Sequence, residues 1–235
     1  MRERRCIVLV PYATHVEPAC ERGLRELERR GLDVRRYPST AAVDRTRCDA
    51  ATSALRDGYD ELMWIDSDIA FDPDDVARLR GYDLPIVAGV YAKKGVQDLA
   101  MHADDLTELA MGEGGGLYDV KYVGAGFVLV QKLVYDDIQR TFSLPVCNTR
   151  FGAATVPYFL PMVIADGPNA HWYLGEDYAF CERARIAGHK IVVDTTIRLG
   201  HIGSYSYGWE DAGQAIPRVT GALFKFDRGR APPKR

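Results

Sequence analysis

The feature that most constrains this chain is an alternation of short unbroken apolar runs with segments of helical spacing. Cys6-Ile7-Val8-Leu9-Val10 is the first such run, and it closes on Pro11-Tyr12. Five apolar residues in succession suit a strand covered on both faces, as in the middle of a parallel sheet. Residues 18–30 follow with apolar or small positions at Ala19, Cys20, Leu24 and Leu27, and Gly31 stands where a helix would end. The pattern predicts a second strand over 32–37, a helix over 43–57 closed by Gly58, and a third strand over 61–65. Asp72 is placed to cap a helix that has Pro73 at its first position and acidic residues in its first turn. Further strands are expected over 84–90, over 122–130 with a Gly-Ala-Gly interruption, and over 190–194, with a helix over 176–187. Such alternation implies an α/β fold, a mostly parallel central sheet flanked by helices. The second half is less regular. Residues 144–172 hold four prolines (145, 157, 161 and 168) and read as a long irregular loop of the kind that often serves function.

A chain of 235 residues can bury a large core without staples, and it reads as one domain over 1–225 with a basic, flexible tail over 226–235. Thirty basic and 33 acidic residues leave a formal charge of −3, so no nucleic-acid partner is expected. No apolar stretch is long enough for a membrane span, and the apolar run after Arg5 is too short for a signal-peptide core. The cysteines, at 6, 20, 48, 147 and 181, are odd in number and irregular in spacing. They suit buried reduced thiols and a cytoplasmic location.

The third strand runs directly into Asp66-Ser67-Asp68. Ligands of open α/β sheets bind at the carboxyl ends of the strands. Two carboxylates this close repel unless a cation lies beside them, and hard oxygen ligands suit Mg²⁺ or Mn²⁺, which bridge to phosphate. The competing explanation is an acidic, solvated turn.

Residues 64–73 resemble the D-x-D segment of glycosyltransferases with the GT-A fold, the Rossmann-like nucleotide-diphospho-sugar transferase fold. Three further features follow in the order that superfamily shows. Gly124-Ala125-Gly126-Phe127 resembles its glycine-rich acceptor-side loop, Gly175-Glu176-Asp177-Tyr178 its x-E-D motif opening a helix, and residues 199–203 its carboxyl-side metal histidine. The likeness spans residues 7 to about 205. It is nearest to small phage and bacterial glycosyltransferases and to the fungal mannan-polymerase type.

The resemblance implies a metal-dependent hexosyltransferase. The donor would be a nucleoside diphosphate sugar, UDP- or GDP-linked, and the acceptor a hydroxyl of a glycan, a protein or a small molecule. The cofactor would be Mn²⁺ or Mg²⁺. Asp68 would bind the metal directly, Asp66 would contact it through water or hold the ribose, and His201 would complete the shell. Pro11 and Tyr12 end the first strand, where the family holds the nucleotide base, and a tyrosine there can stack on it. Arg47 is either a ligand for diphosphate or base or a helix-surface arginine. Lys93 is the lysine taken to neutralise phosphate, beside Tyr91 and Lys94. Gly124 and Gly126 join the ligand-binding residues, and the 144–172 loop would help shape the acceptor site. Glu176 and Asp177 suit a helix start in any protein, through the helix dipole. The implied role makes Asp177 the general base of an inverting enzyme, or a group that orients the acceptor in a retaining one, with Glu176 as the alternative. The Tyr-, Ser- and Gly-rich residues after His201 are expected to form a lid. Two rivals remain: a sugar-1-phosphate nucleotidyltransferase, disfavoured because residues 11–15 lack glycine, and a non-catalytic nucleotide-sugar-binding module.

Overall fold

The structure is a computed structural model that describes residues 4–39, 42–104, 106–213 and 221–225. The alternation read from the sequence is realised in β1 (Cys6–Tyr12), α1 (Pro18–Arg29), β2 (Asp33–Pro38), α2 (Val43–Arg56) and β3 (Glu61–Ile65). After it come β4 (Ile69–Ala70), α3 (Pro73–Gly81), β5 (Ile86–Gly89), β6 (Met101–His102), β7 (Glu108–Gly112), β8 (Leu117–Val120), β9 (Tyr122–Val123), β10 (Phe127–Gln131) and α4 (Lys132–Phe142). The chain continues with β11 (Met162–Ala165), β12 (His171–Leu174), α5 (Glu176–Ile186), β13 (Ile191–Asp194), β14 (Gly200–Ile202), β15 (Ser206–Tyr207) and β16 (Gly221–Lys225).

Seven strands form the central sheet in the order β2-β1-β3-β10-β5-β13-β8. Pairings β1–β2, β1–β3 and β5–β13 are parallel, while β10 and β8 run against their neighbours. The α/β class expected from the sequence, a mostly parallel sheet flanked by helices, is therefore the one observed. Alternation along β1 and β3 explains the two layers. Ile7, Leu9, Leu62 and Trp64 face one side, with α2, α4 and α5; Val8, Val10, Met63 and Ile65 face the other, with α1 and α3. Each of these side chains is fully buried, worth roughly 1.5–3 kcal/mol apiece against exposure. Local signals also hold. Gly31 and Gly58 take positive φ just past α1 and α2, and the Asp72 carboxylate accepts the Asp74 N–H at 3.0 Å.

Two expectations change. The strand read over 122–130 is two strands. Gly124 donates its N–H to Ala100, which turns the chain out of the β6–β9 pair before β10 enters the main sheet antiparallel. The segment 144–172 is not a loose loop. It opens with a bridge between Cys147 and Thr155, then buries Val156, Tyr158 and Phe159 over α2, and ends in the β11–β12 hairpin. Phe159 meets the Trp64 ring edge-on at 5.3 Å, and the Val156 N–H is taken by Thr52 of α2 at 2.9 Å. Prolines stop regular structure here, but the apolar residues between them still bury.

No described helix is long and apolar enough to cross a membrane. The five cysteines are unpaired, four of them buried. The tail over 226–235 lies outside the described residues, as does 214–220 of the expected lid.

Candidate active site

The carboxyl end of β3 delivers Asp66, and the backbone around it is pinned from three sides. Asp66 N–H donates to Gly126 O at 3.0 Å, Ile69 N–H closes the turn onto Asp66 O at 3.0 Å, and Glu17 N–H, at the start of α1, donates to Ser67 O at 2.8 Å. β4 then emerges from the turn and pairs with β14, placing Ile69 opposite His201. The Ile202 N–H donates to Asp68 O at 2.7 Å. This small sheet is why a histidine far along the chain meets the D-x-D turn.

His201 Nδ1 donates to the Ala92 carbonyl at 2.8 Å, which orients the ring so that Nε2 faces Asp68. His201 Nε2 and Asp68 Oδ1 are 3.6 Å apart. The other Asp68 oxygen accepts from Lys94 Nζ at 2.5 Å. Burial works against the Asp68 charge, but His201 and Lys94 outweigh it and hold the carboxyl below its ordinary range. An imidazole nitrogen beside a hard carboxylate oxygen is a donor set that Mn²⁺ or Mg²⁺ accepts. Among the described residues no third His, Cys, Asp or Glu joins the pair.

Asp66 does not join it because Asp66 turns to Arg47. That arginine is 2% exposed, so it is not a helix-surface residue. Its Nη2 donates to Asp66 Oδ1 at 2.7 Å, its Nε lies 3.6 Å from Glu176 Oε1, and its guanidinium carbon sits 5.4 Å from the Trp64 ring centre. Nε and Nη1 are buried without hydrogen-bond partners. Desolvation opposes the charge, but Asp66 and Glu176 keep the guanidinium protonated.

Glu176 and Asp177 open α5, as the x-E-D resemblance implies, and Asp177 Oδ1 accepts the Tyr178 N–H at 2.7 Å. Burial, then the Glu176 charge, pushes the Asp177 carboxyl up to about 6. Pro11 and Tyr12 end β1 beside β3, with Leu9 opposite Trp64, so Tyr12 and Asp66 leave the sheet at one edge. Pro11 is buried and Tyr12 half-buried. Lys93 points elsewhere, donating to Asp98 at 2.6 Å; its neighbour Lys94 is the lysine on Asp68.

Gly124 and Gly126 have a steric reason to be glycine. A Cβ on Gly126 would lie 2.6 Å from the Tyr91 hydroxyl, and one on Gly124 closer still. Tyr91 is buried under this loop, accepts the Gly126 N–H at 3.1 Å and packs its ring edge-on to His201 at 5.1 Å. Burial, then Asp66 and Asp177, keeps its hydroxyl neutral. Tyr91 is thus the underpinning of both the D-x-D turn and the histidine. Its sequence signal was only its place at a strand end.

The described part of the expected lid folds back as β15, pairing Tyr207 with His201.

No family model matches the chain, and no curated protein matches it. Among solved structures, A197 from STIV is similar over 98% of both chains, with a TM-score of 0.57 and 15% identity. At that identity the likeness is one of fold. A glycosyltransferase involved in the glycosylation of the major capsid of PBCV-1 aligns over 59% of this chain and 65% of its own, at 14% identity. Its TM-score of 0.33 is too low to carry an argument.

Proposed function

We propose that the protein is a glycosyltransferase that moves a hexosyl group from a nucleoside diphosphate sugar to an acceptor hydroxyl. One observation carries the reading. Asp68 and His201, from two separate elements, meet at 3.6 Å beside the carboxyl end of the sheet, with the histidine ring oriented by its Nδ1–H bond to Ala92. Asp68 and His201 would hold Mn²⁺ or Mg²⁺, leaving positions for phosphate oxygens and water. When bound, the cation would neutralise the charge that develops on the leaving diphosphate. Pro11 and Tyr12 would flank the base. Asp66, steadied by Arg47, would accept a ribose hydroxyl. Lys94, released from Asp68, would turn to a phosphate oxygen.

In the transfer, the bond from the anomeric carbon to the diphosphate oxygen breaks and the diphosphate leaves with the electron pair. The acceptor oxygen bonds to that carbon and gives up its proton. A carboxyl pushed up to about 6 suits a proton acceptor working near neutral pH, so Asp177 takes that proton. Release of free hexose from UDP- and GDP-sugars in Mn²⁺ tests the reading without an acceptor. Activity is expected with one donor, and Asp68→Asn should abolish it. No release from any donor, and no nucleotide binding by calorimetry, would overturn the proposal.

A further inference from the structure

Beside the site lies a cleft of about 490 Å³ to which neither the D-x-D turn nor the histidine contributes. One wall descends from the Lys93–Asp98 turn through β6. The other is Trp172 of β12 and Tyr178 of α5. Trp172 is held edge-on by three rings: His102 at 4.9 Å, Tyr122 at 5.5 Å and Tyr178 at 6.1 Å. Neither the Trp172 indole N–H nor the Tyr178 hydroxyl has a hydrogen-bond partner among the described residues. Two half-exposed carboxylates complete the lining. Asp98 is held by Lys93, and Asp104 by Lys121 and His102.

Resting on the glycosyltransferase reading, we infer that this cleft is the acceptor site and that the acceptor group it takes is a saccharide ring. A fixed aromatic beside ordered carboxylates and unspent N–H and O–H donors fits a molecule with an apolar C–H face and a rim of hydroxyls. Lys93 in the lining and Lys121, paired to Asp104 from outside it, balance the Asp98 and Asp104 charges, so the cleft selects neither a phosphorylated nor a basic partner. The volume suits one or two sugar rings.

Chain geometry ties the cleft to the chemistry. Lys93 and Tyr178 in its walls are the immediate neighbours of Lys94, which bonds Asp68, and of Asp177. Trp172 leaves β12 only a few residues before α5 begins, so the ring that would stack the acceptor and the carboxylate that would deprotonate it share one short, rigid connection. The 144–172 segment, expected to help shape the acceptor site, supplies Trp172 to this cleft from its end, while its Val156, Tyr158 and Phe159 pack over α2.

The test uses ligand-observed NMR on the full chain with methyl glycosides of glucose, galactose, mannose and N-acetylglucosamine, and with their β-linked and α-linked disaccharides. A serine- and threonine-containing decapeptide is the comparison. At least one saccharide should show saturation transfer through its ring C–H protons. Trp172→Ala should weaken it about tenfold, the size of one lost aromatic contact, and Trp172→Phe should restore most of it. Tyr178→Phe, which removes one hydroxyl and no packing, should weaken binding a few-fold in protein of unchanged melting temperature. Nucleotide affinity in Mn²⁺, measured in parallel, should not move with Trp172→Ala. Peptide binding that depends on Trp172, saccharide binding indifferent to both variants, or no saccharide binding by a protein that binds nucleotide would each overturn the inference. Trp172-dependent saccharide binding with no nucleotide binding would instead sink the transferase reading and leave a saccharide site.

Discussion

Two residues hold charge where it is expensive, and each gives a prediction. Arg47 is buried with two nitrogens unpartnered, so its ion pairs offset only part of its desolvation. What it secures is the direction of Asp66. Arg47→Lys keeps the charge but loses the planar fork. It should lower stability by about 1–3 kcal/mol and weaken nucleotide binding roughly tenfold, read by denaturant titration and calorimetry. Lost stability with unchanged nucleotide affinity would make Arg47 a packing residue only. For Asp177 the sign follows from a carboxyl raised from 3.8 to about 6. Below pH 3.8 folded and unfolded chains are both protonated at this site and nothing is lost. Between there and about 6 the unfolded chain ionises first, and above it the fold carries the full penalty. Asp177→Asn should therefore be more stable than the parent by about 1–3 kcal/mol at pH 7.5, with the gain vanishing toward pH 4. The same variant should lose about a hundred- to ten-thousand-fold in transfer rate, while the parent's kcat/KM rises with pH up to about 6. A variant that is less stable and still active would place the proton acceptor elsewhere, with Glu176 next.

At the scale of elements, the strands of the parallel layer were legible because two-sided burial leaves unbroken apolar runs, and the helices because Gly31, Gly58 and Asp72 mark their ends. The antiparallel β10 was not. Its run, residues 127–131, is as apolar as its neighbours, and nothing local reports direction. The strap over 156–159 was hidden by its prolines, although Val156, Tyr158 and Phe159 in sequence were a signal of burial. In the candidate site, the D-x-D turn was singled out by its place at the end of an apolar strand, and the x-E-D helix start and His201 by the family resemblance. Arg47's burial was not, because a charged residue within a helix normally points outward. The choice between Lys93 and Lys94 depends on which way one turn faces. The glycine loop makes the element-scale prediction. Gly126→Ala forces the Tyr91 ring, which underpins both Asp66 and His201, to move. It should lower stability by about 1–3 kcal/mol and weaken nucleotide binding as well. Gly116→Ala, where a Cβ meets nothing within 4 Å, should change neither in the same thermal and calorimetric assays.

At the scale of the molecule, the candidate site is a seam. Asp66 leaves the main sheet on β3, Tyr12 leaves it on β1, His201 belongs to the small β15-β14-β4 sheet, and Asp177 heads α5. A ligand touching all of them would bridge elements that reach the site from widely separated points of the chain. Binding to the folded chain alone adds about 2.7 kcal/mol when free ligand is a hundred times Kd. In a domain of this size that is roughly 5–11 °C in melting temperature. Because Asp68 and His201 would supply only two protein ligands, the cation should bind weakly alone, and the nucleotide alone would have to draw Lys94 from an Asp68 carboxylate left without a cation. A thermal scan should therefore show a small shift with Mn²⁺, a small shift with UDP or GDP in chelator, and the full shift only with both. His201→Ala should erase the joint shift while moving the ligand-free melting temperature little, since the ring is partly exposed and its removal leaves β14 paired to β4. An equal shift with nucleotide in excess chelator would exclude a metal-bridged diphosphate at this seam. A His201→Ala protein that melts far earlier yet keeps the joint shift would make the histidine a structural clasp between the two sheets.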